Sequence, residues 1–161
     1  MAPAPLDRRR MLGNVALAAA VAAGAFVAER WRPLSSLGAD FATGTDERRT
    51  ITLADGSVLW LGARSAVDVD FSGSARRLQL RQGELVVQVA ADPDRPFGVS
   101  TAQATVRALD ARFSMRQVSD RTLVTVLQHR VEVRSETGMK LRLEERQAAQ
   151  IDADGRIRQL L

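Results

Sequence analysis

The chain has no cysteine and a single histidine, His129, in 161 residues. No cysteine means no disulfide framework, no thiolate nucleophile and no zinc site of the ordinary sulfur-rich kind. A lone histidine between Gln128 and Arg130 reads as a turn or surface residue, and no serine lies in a Gly-x-Ser-x-Gly elbow to use it as a base. The glycines lack the spacing of a phosphate-binding loop. Asp55, Asp68, Asp70, Asp92 and Asp94 fall on expected turns or on the polar side of strands, as a solvated face requires. These absences predict a protein that is not an enzyme and that holds no metal and no cofactor. They leave the compartment open.

A net charge of +4 invites a nucleic-acid reading, which the distribution argues against. Residues 1–28 hold Arg8, Arg9, Arg10 and one acid, Asp7; the body beyond them carries a net charge of only +2, with both signs interspersed. That is the ordinary surface of a domain, not a nucleic-acid footprint.

The one long apolar run is Met11–Ala28, with no charged residue and Asn14 as its only strongly polar side chain. Eighteen helical residues span about 27 Å, close to the ~30 Å of bilayer hydrocarbon. The expectation is therefore a transmembrane helix over 11–28, with residues 1–10 as a cytoplasmic flank, because basic clusters stay inside. Trp31 suits an interfacial anchor and Pro33 a helix stop. Arg8, Arg9 and Arg10 ahead of Met11 and Leu12 also resemble a twin-arginine export signal; the flank reading is preferred. Ala23-Gly24-Ala25 has the small residues of a cleavage site but lies inside the run, so a retained anchor is expected.

From Arg48 onward, short Val-, Ile-, Leu- and Thr-rich runs alternate with glycine turns, which predicts an all-β body. Asp55-Gly56 reads as a type I′ hairpin turn, and Asp154-Gly155 marks the last hairpin of the chain. Val67, Val69 and Phe71 alternate with Asp68 and Asp70 as a half-buried strand. Leu78 and Leu80 form another, broken at Gln82-Gly83 before Leu85–Ala90. Val106, Ala108, Phe113, Met115 and Val118 suggest two strands around Asp110. Thr122–Leu127 and Val131–Arg134 are expected to pair. Residues 141–149 have helix-forming composition and read as a strand or a short helix. The architecture expected is a two-layer sandwich or solenoid-like β-roll of short, mainly antiparallel strands. Trp60 faces away from Leu59 and Leu61, so it is either capped by a second layer, the preferred reading, or exposed as a contact residue.

One ordered series of elements resembles a known family. Gly44-Thr45-Asp46-Glu47-Arg48 leads into Leu53-Ala54-Asp55-Gly56-Ser57-Val58-Leu59-Trp60; Arg76-Arg77-Leu78, Gly83-Glu84 and Arg95-Pro96-Phe97-Gly98-Val99 follow. The series resembles the FecR domain from Gly44 to about Val133. It departs at Gly62, at Asp110-Ala111-Arg112 and at Gln128-His129-Arg130. The resemblance implies a FecR-like β-domain over 44–151, after a linker over 29–43 and before a terminal strand or tail over 152–161. Asp55, Gly56, Ser57, Gly83, Glu84, Arg95, Pro96 and Phe97 are its motif residues, mainly structural in role. Trp60 and His129 are possible partner contacts. It further implies a bacterial inner-membrane protein with one span, a cytoplasmic N-terminus and a periplasmic domain. Such a protein relays cell-surface signals, often of iron-siderophore uptake, to an extracytoplasmic-function sigma factor. The partner implied is the signalling domain of a TonB-dependent outer-membrane transporter. Ten residues before Met11 leave sigma-factor contact only to missing cytoplasmic residues, and the C-terminal domain usual in the family is also lacking. The competing expectation is an anchored envelope scaffold or binding domain with no regulatory role.

Overall fold

A computed structural model describes residues 38–160. Among these there is no helix, and none long and apolar enough to cross a membrane. The segment 11–28 and Arg8, Arg9 and Arg10 lie outside the described residues.

The described residues form thirteen strands: β1 (Phe41–Ala42), β2 (Arg49–Thr52), β3 (Val58–Leu61), β4 (Ala66–Asp70), β5 (Arg76–Gln88), β6 (Phe97–Ser100), β7 (Ala104–Ala108), β8 (Arg112–Val118), β9 (Arg121–Gln128), β10 (Arg130–Ser135), β11 (Lys140–Glu144), β12 (Ala148–Ile151) and β13 (Ile157–Leu160). Phe41 and Ala42, placed in the linker by the sequence reading, already pair with β4. All the strands belong to one mixed sheet, nearly closed like a barrel, whose only parallel pair is β5 with β6. This replaces two separate layers by one continuous sheet folded around a common core.

The continuity comes from β5. The sequence reading broke it at Gly83, but it runs unbroken for 13 residues. Its first half pairs with β4 and β6, its second with β3 and β8. Arg76, Leu78 and Leu80 face inward in the first half, Leu85 and Val87 in the second, so the two-residue phase slips by one between them. A register shift against β4 and the positive φ of Gly83 (85°) accommodate the slip. A bulge of this kind bends a strand while keeping both apolar sets on the core side.

Beyond β5, successive hairpins alternate sides. β6–β7 and β10–β11 join the ladder of β4; β8–β9 and β12–β13 join the ladder of β3. Hence β9 and β10, expected to pair, do not: β9 lies between β8 and β12, and β10 between β7 and β11. His129 alone makes the step between them, at φ 62°. Residues 141–149 are strand, turn and strand, because Leu143, Ala149 and Ile151 reach the core only with two-residue alternation.

The Asp55-Gly56 turn differs in type from the sequence reading. Gly56 has φ 87° but Asp55 is not left-handed, so the turn is not I′. Leu53 N–H donates to Ser57 O (2.8 Å) and Gly56 N–H to Leu53 O (3.0 Å), a three-residue loop with glycine at its left-handed position. The Asp154-Gly155 turn is built the same way, with Asp152 N–H to Arg156 O and Gly155 N–H to Asp152 O, both 3.0 Å.

Both ladders feed one core, in which Leu59, Leu85, Val87, Phe97, Val106, Phe113, Met115, Val126 and Ile151 are fully buried. Each such side chain contributes roughly 1.5–3 kcal/mol. Val67 belongs to this core, while Val69 and Phe71 are partly buried at its edge.

Candidate functional site

Asp55, Ser57, Arg95 and Phe97 gather around Arg76, which the sequence reading quoted in the Arg76-Arg77-Leu78 element without giving it a role. Arg76, first residue of β5, is 1% exposed. It is in phase with Leu78 and Leu80, a signal that would have marked it as inward-facing. Its Nη1 meets Asp55 Oδ2 (2.9 Å) and donates to Ala90 O (2.8 Å); its Nε donates to Arg95 O (2.8 Å), and its Nη2 also donates to that oxygen. The guanidinium stands 5.5 Å from the ring centre of Phe97, which packs edge-on against Phe71 at 6.1 Å. A buried charge is tolerated only when paired and hydrogen-bonded, and Arg76 has both.

Asp55 organises the turn in the other direction. Its Oδ1 accepts the Ser57 N–H (2.9 Å) and its Oδ2 the Ser57 hydroxyl (2.7 Å). The Ser57 hydroxyl oxygen in turn accepts from Ala90 N–H (2.9 Å). Thus the Asp55-Gly56-Ser57 turn and the loop leading to Arg95, Pro96 and Phe97 are bound together through one guanidinium. Pro96 is exposed and directly precedes β6, where no ladder donor is needed, and Phe97 is buried.

Burial pushes the Asp55 carboxyl up, but the two bonds from Ser57 and the Arg76 guanidinium outweigh it and hold its pKa below the ordinary value. Asp70, held down chiefly by the Ser72 hydroxyl, and Asp92, held down chiefly by Arg95, are shifted the same way. A folded pKa below the unfolded one gives stability that is present above the unfolded value, near ~3.9, and is lost as pH falls through the folded value. Thermal melting between pH 7 and pH 2.5 should show the midpoint falling below about pH 4. Asp55→Asn should lower the midpoint at pH 7 and flatten the acid limb. An unchanged acid limb in that variant would remove Asp55 from the account.

The second motif group sits at the bend in β5. Ser65 Oγ donates to Glu84 O (3.0 Å) and accepts from Glu84 N–H (2.9 Å), while Gly62 N–H donates to the same carbonyl (2.9 Å). Thr43 Oγ1 accepts from Ser65 N–H (2.9 Å) and donates to Gly62 O (2.7 Å). Only backbone atoms of Gly83 and Glu84 take part; the Glu84 side chain is exposed. Ser65 and Thr43 were not singled out by the sequence reading, since nothing local marks a hydroxyl that bonds across 19 or 22 residues.

Trp60 is on the outer face of β3, half-buried, and no second layer covers it among the described residues. The Arg112 guanidinium caps it instead, 5.1 Å from the ring centre. Arg112 Nε is buried and makes no hydrogen bond. His129 is exposed; its Nδ1 is 2.7 Å from Asp110 O and 3.4 Å from Asp110 Oδ2. Asp55, Ser57, Arg95 and Phe97 are thus brought together, Gly83 and Glu84 form a separate group, and Trp60 and His129 belong to neither. Among the described residues no group of His, Asp or Glu is arranged to hold a metal ion.

No curated protein matches the chain. Solved structures do, among them two crystal structures at 2.50 and 1.65 Å, both of a protein from Parabacteroides distasonis ATCC 8503 provisionally assigned as an anti-sigma factor. They share 26% and 27% identity with it, each with a TM-score of 0.68 over 74% of this chain. The chain spans 58% of the length of those proteins. The family profile described as FecR protein matches residues 39–132, a stretch that includes the Asp55 turn, the Arg76 hub and the bend at Gly83. With more than half of its length inside that match, the chain belongs to the FecR protein family.

Proposed function

We propose that this chain is a membrane-anchored signal-relay module acting on an extracytoplasmic-function sigma factor in cell-surface signalling of the iron-uptake type. The match to the FecR family over 39–132 carries this reading, and the likeness to proteins provisionally assigned as anti-sigma factors supports a regulatory, non-catalytic role. Residues 11–28 anchor it in the inner membrane, with Arg8, Arg9 and Arg10 on the cytoplasmic side and the β-domain in the periplasm. Its working surface faces protein, with Trp60 and His129 as candidate contacts for the signalling domain of a TonB-dependent outer-membrane transporter. Contact with the sigma factor falls to cytoplasmic residues.

Deleting the chain from its host should change transcription from a promoter of the neighbouring extracytoplasmic-function sigma factor several-fold and remove its response to the inducing iron chelate. Alkaline phosphatase fused after Leu161 should be active. A reporter that ignores the deletion, with the phosphatase still active, would point to an anchored envelope scaffold instead.

A further inference from the structure

We infer that the open cleft at the end of the β7–β10–β11 ladder is a docking site for an extended, acidic protein segment. The inference rests on the relay reading, which calls for a protein partner, and names the surface and its chemistry.

The cleft has a volume of about 630 Å³. One wall is the loop from Ala91 to Pro96, the other the outward side chains of β7, β10 and β11. The lining includes three exposed apolar side chains, Pro93, Pro96 and Leu109, the last 46% exposed although a leucine. The walls are held from beneath. Arg76 fixes Ala90 O and Arg95 O at the two ends of the loop, Val89 N–H donates to Ala111 O (2.9 Å), and His129 Nδ1 is bonded to Asp110 O (2.7 Å). The Arg76 hub thus shapes this surface without lying on it.

Three arginines line the cleft. In the ladder Arg107 and Arg142 flank Glu132 on β10, and Arg130 lies two residues before Glu132 on the same face. Among the described residues none of the three makes an ion pair or a side-chain hydrogen bond, whereas Arg77, Arg81, Arg95 and Arg158 are each bound to an aspartate. Of the cleft's other acids, Asp92 is paired with Arg95 (2.7 Å), while Asp110 faces only His129 (3.4 Å), which supplies no fixed charge to cancel it. The charge left for a partner is therefore three guanidiniums against two carboxylates, Asp110 and Glu132, a net positive charge. Guanidiniums recognise carboxylates with fixed geometry, and the exposed Pro93, Pro96 and Leu109 offer an apolar side chain a place beside them. A polypeptide segment with acids flanking an apolar residue satisfies both demands.

The test uses the full chain in detergent and a fluorescein-labelled short peptide alternating aspartate with leucine, followed by anisotropy. The peptide should bind about tenfold tighter than its asparagine counterpart, since three exposed ion pairs each contribute modestly, and the preference should shrink at high salt. Arg107→Gln, Arg130→Gln and Arg142→Gln together should abolish the preference while melting like the parent, because these side chains hold no partner in the fold. Leu109→Ser should weaken binding several-fold at unchanged charge. Equal binding of the two peptides, a preference that survives the triple variant, or one insensitive to salt would overturn the inference. So would displacement by millimolar inorganic phosphate, the mark of a simple anion site, or tighter arginine-dependent binding to phosphatidylglycerol vesicles. The peptide measurement does not involve transcription, so a deletion that leaves the sigma-factor reporter unmoved counts against the relay reading alone.

Discussion

Replacing Arg76 with methionine should cost about 3–5 kcal/mol of folding stability, the usual consequence of breaking a buried ion pair from one side. Methionine fills much of the same volume, so the loss is electrostatic. Asp55, whose side chain is 5% exposed, would keep its charge without its cation, and the carbonyls of Ala90 and Arg95 would lose their donors. The damage should spread to both segments that the guanidinium joins. Hydrogen exchange should therefore rise in the Asp55 turn and in the loop before β6 together. Urea unfolding followed by circular dichroism gives the magnitude. Adding Asp55→Asn to Arg76→Met should recover part of the loss, because the uncompensated charge is gone. A single-variant loss under about 1 kcal/mol would mean that water reaches the pair and that Arg76 is not the hub.

Gly83→Ala should be nearly as damaging, and comparison with Gly56→Ala separates two causes. Both glycines have a left-handed φ, 85° and 87°, so both substitutions carry the conformational cost of about 1–2 kcal/mol. At Gly56 the added Cβ would approach only the Ala90 Cβ, at 4.0 Å. At Gly83 it would lie 2.5 Å from Ser65 Cα and 2.3 Å from Ser65 Oγ. Backbone cannot swing aside as a side chain can, and overpacking adds roughly 1–3 kcal/mol. The expected losses are therefore about 1–2 kcal/mol at Gly56 and about 2–5 kcal/mol at Gly83. Equal losses in urea unfolding would show that the close approach to Ser65 is relieved by a small shift of β5.

The close packing at Gly83 also explains why its role was misread. A glycine after Gln82 looks like a break between two strands, because glycine weakens strand interiors. Whether the chain ends a strand there or bends through it depends on Ser65, 18 residues away in sequence. The same holds for β9 and β10. Each was legible from its alternation of Val and Thr or Val and charged residues, yet their adjacency in sequence suggested a pair. The left-handed His129 sends the second strand to the opposite ladder instead.

What the sequence alone determined is the local layer: strand periodicity, turn glycines, and the exclusion of disulfides and thiolate chemistry by the absence of cysteine. These follow from backbone preferences and residue chemistry within a few positions. The ordered motifs also sufficed to suggest the FecR family. Only the tertiary structure decided partners: which ladder each hairpin joins, that Trp60 is capped by Arg112, and that Arg76 binds Asp55 to the Arg95 loop. An arginine in phase with Leu78 and Leu80 is marked as inward by pattern, but what neutralises it lies 21 residues away in sequence. Contacts at such separations are set by how the sheet closes on its core, and no local preference encodes that.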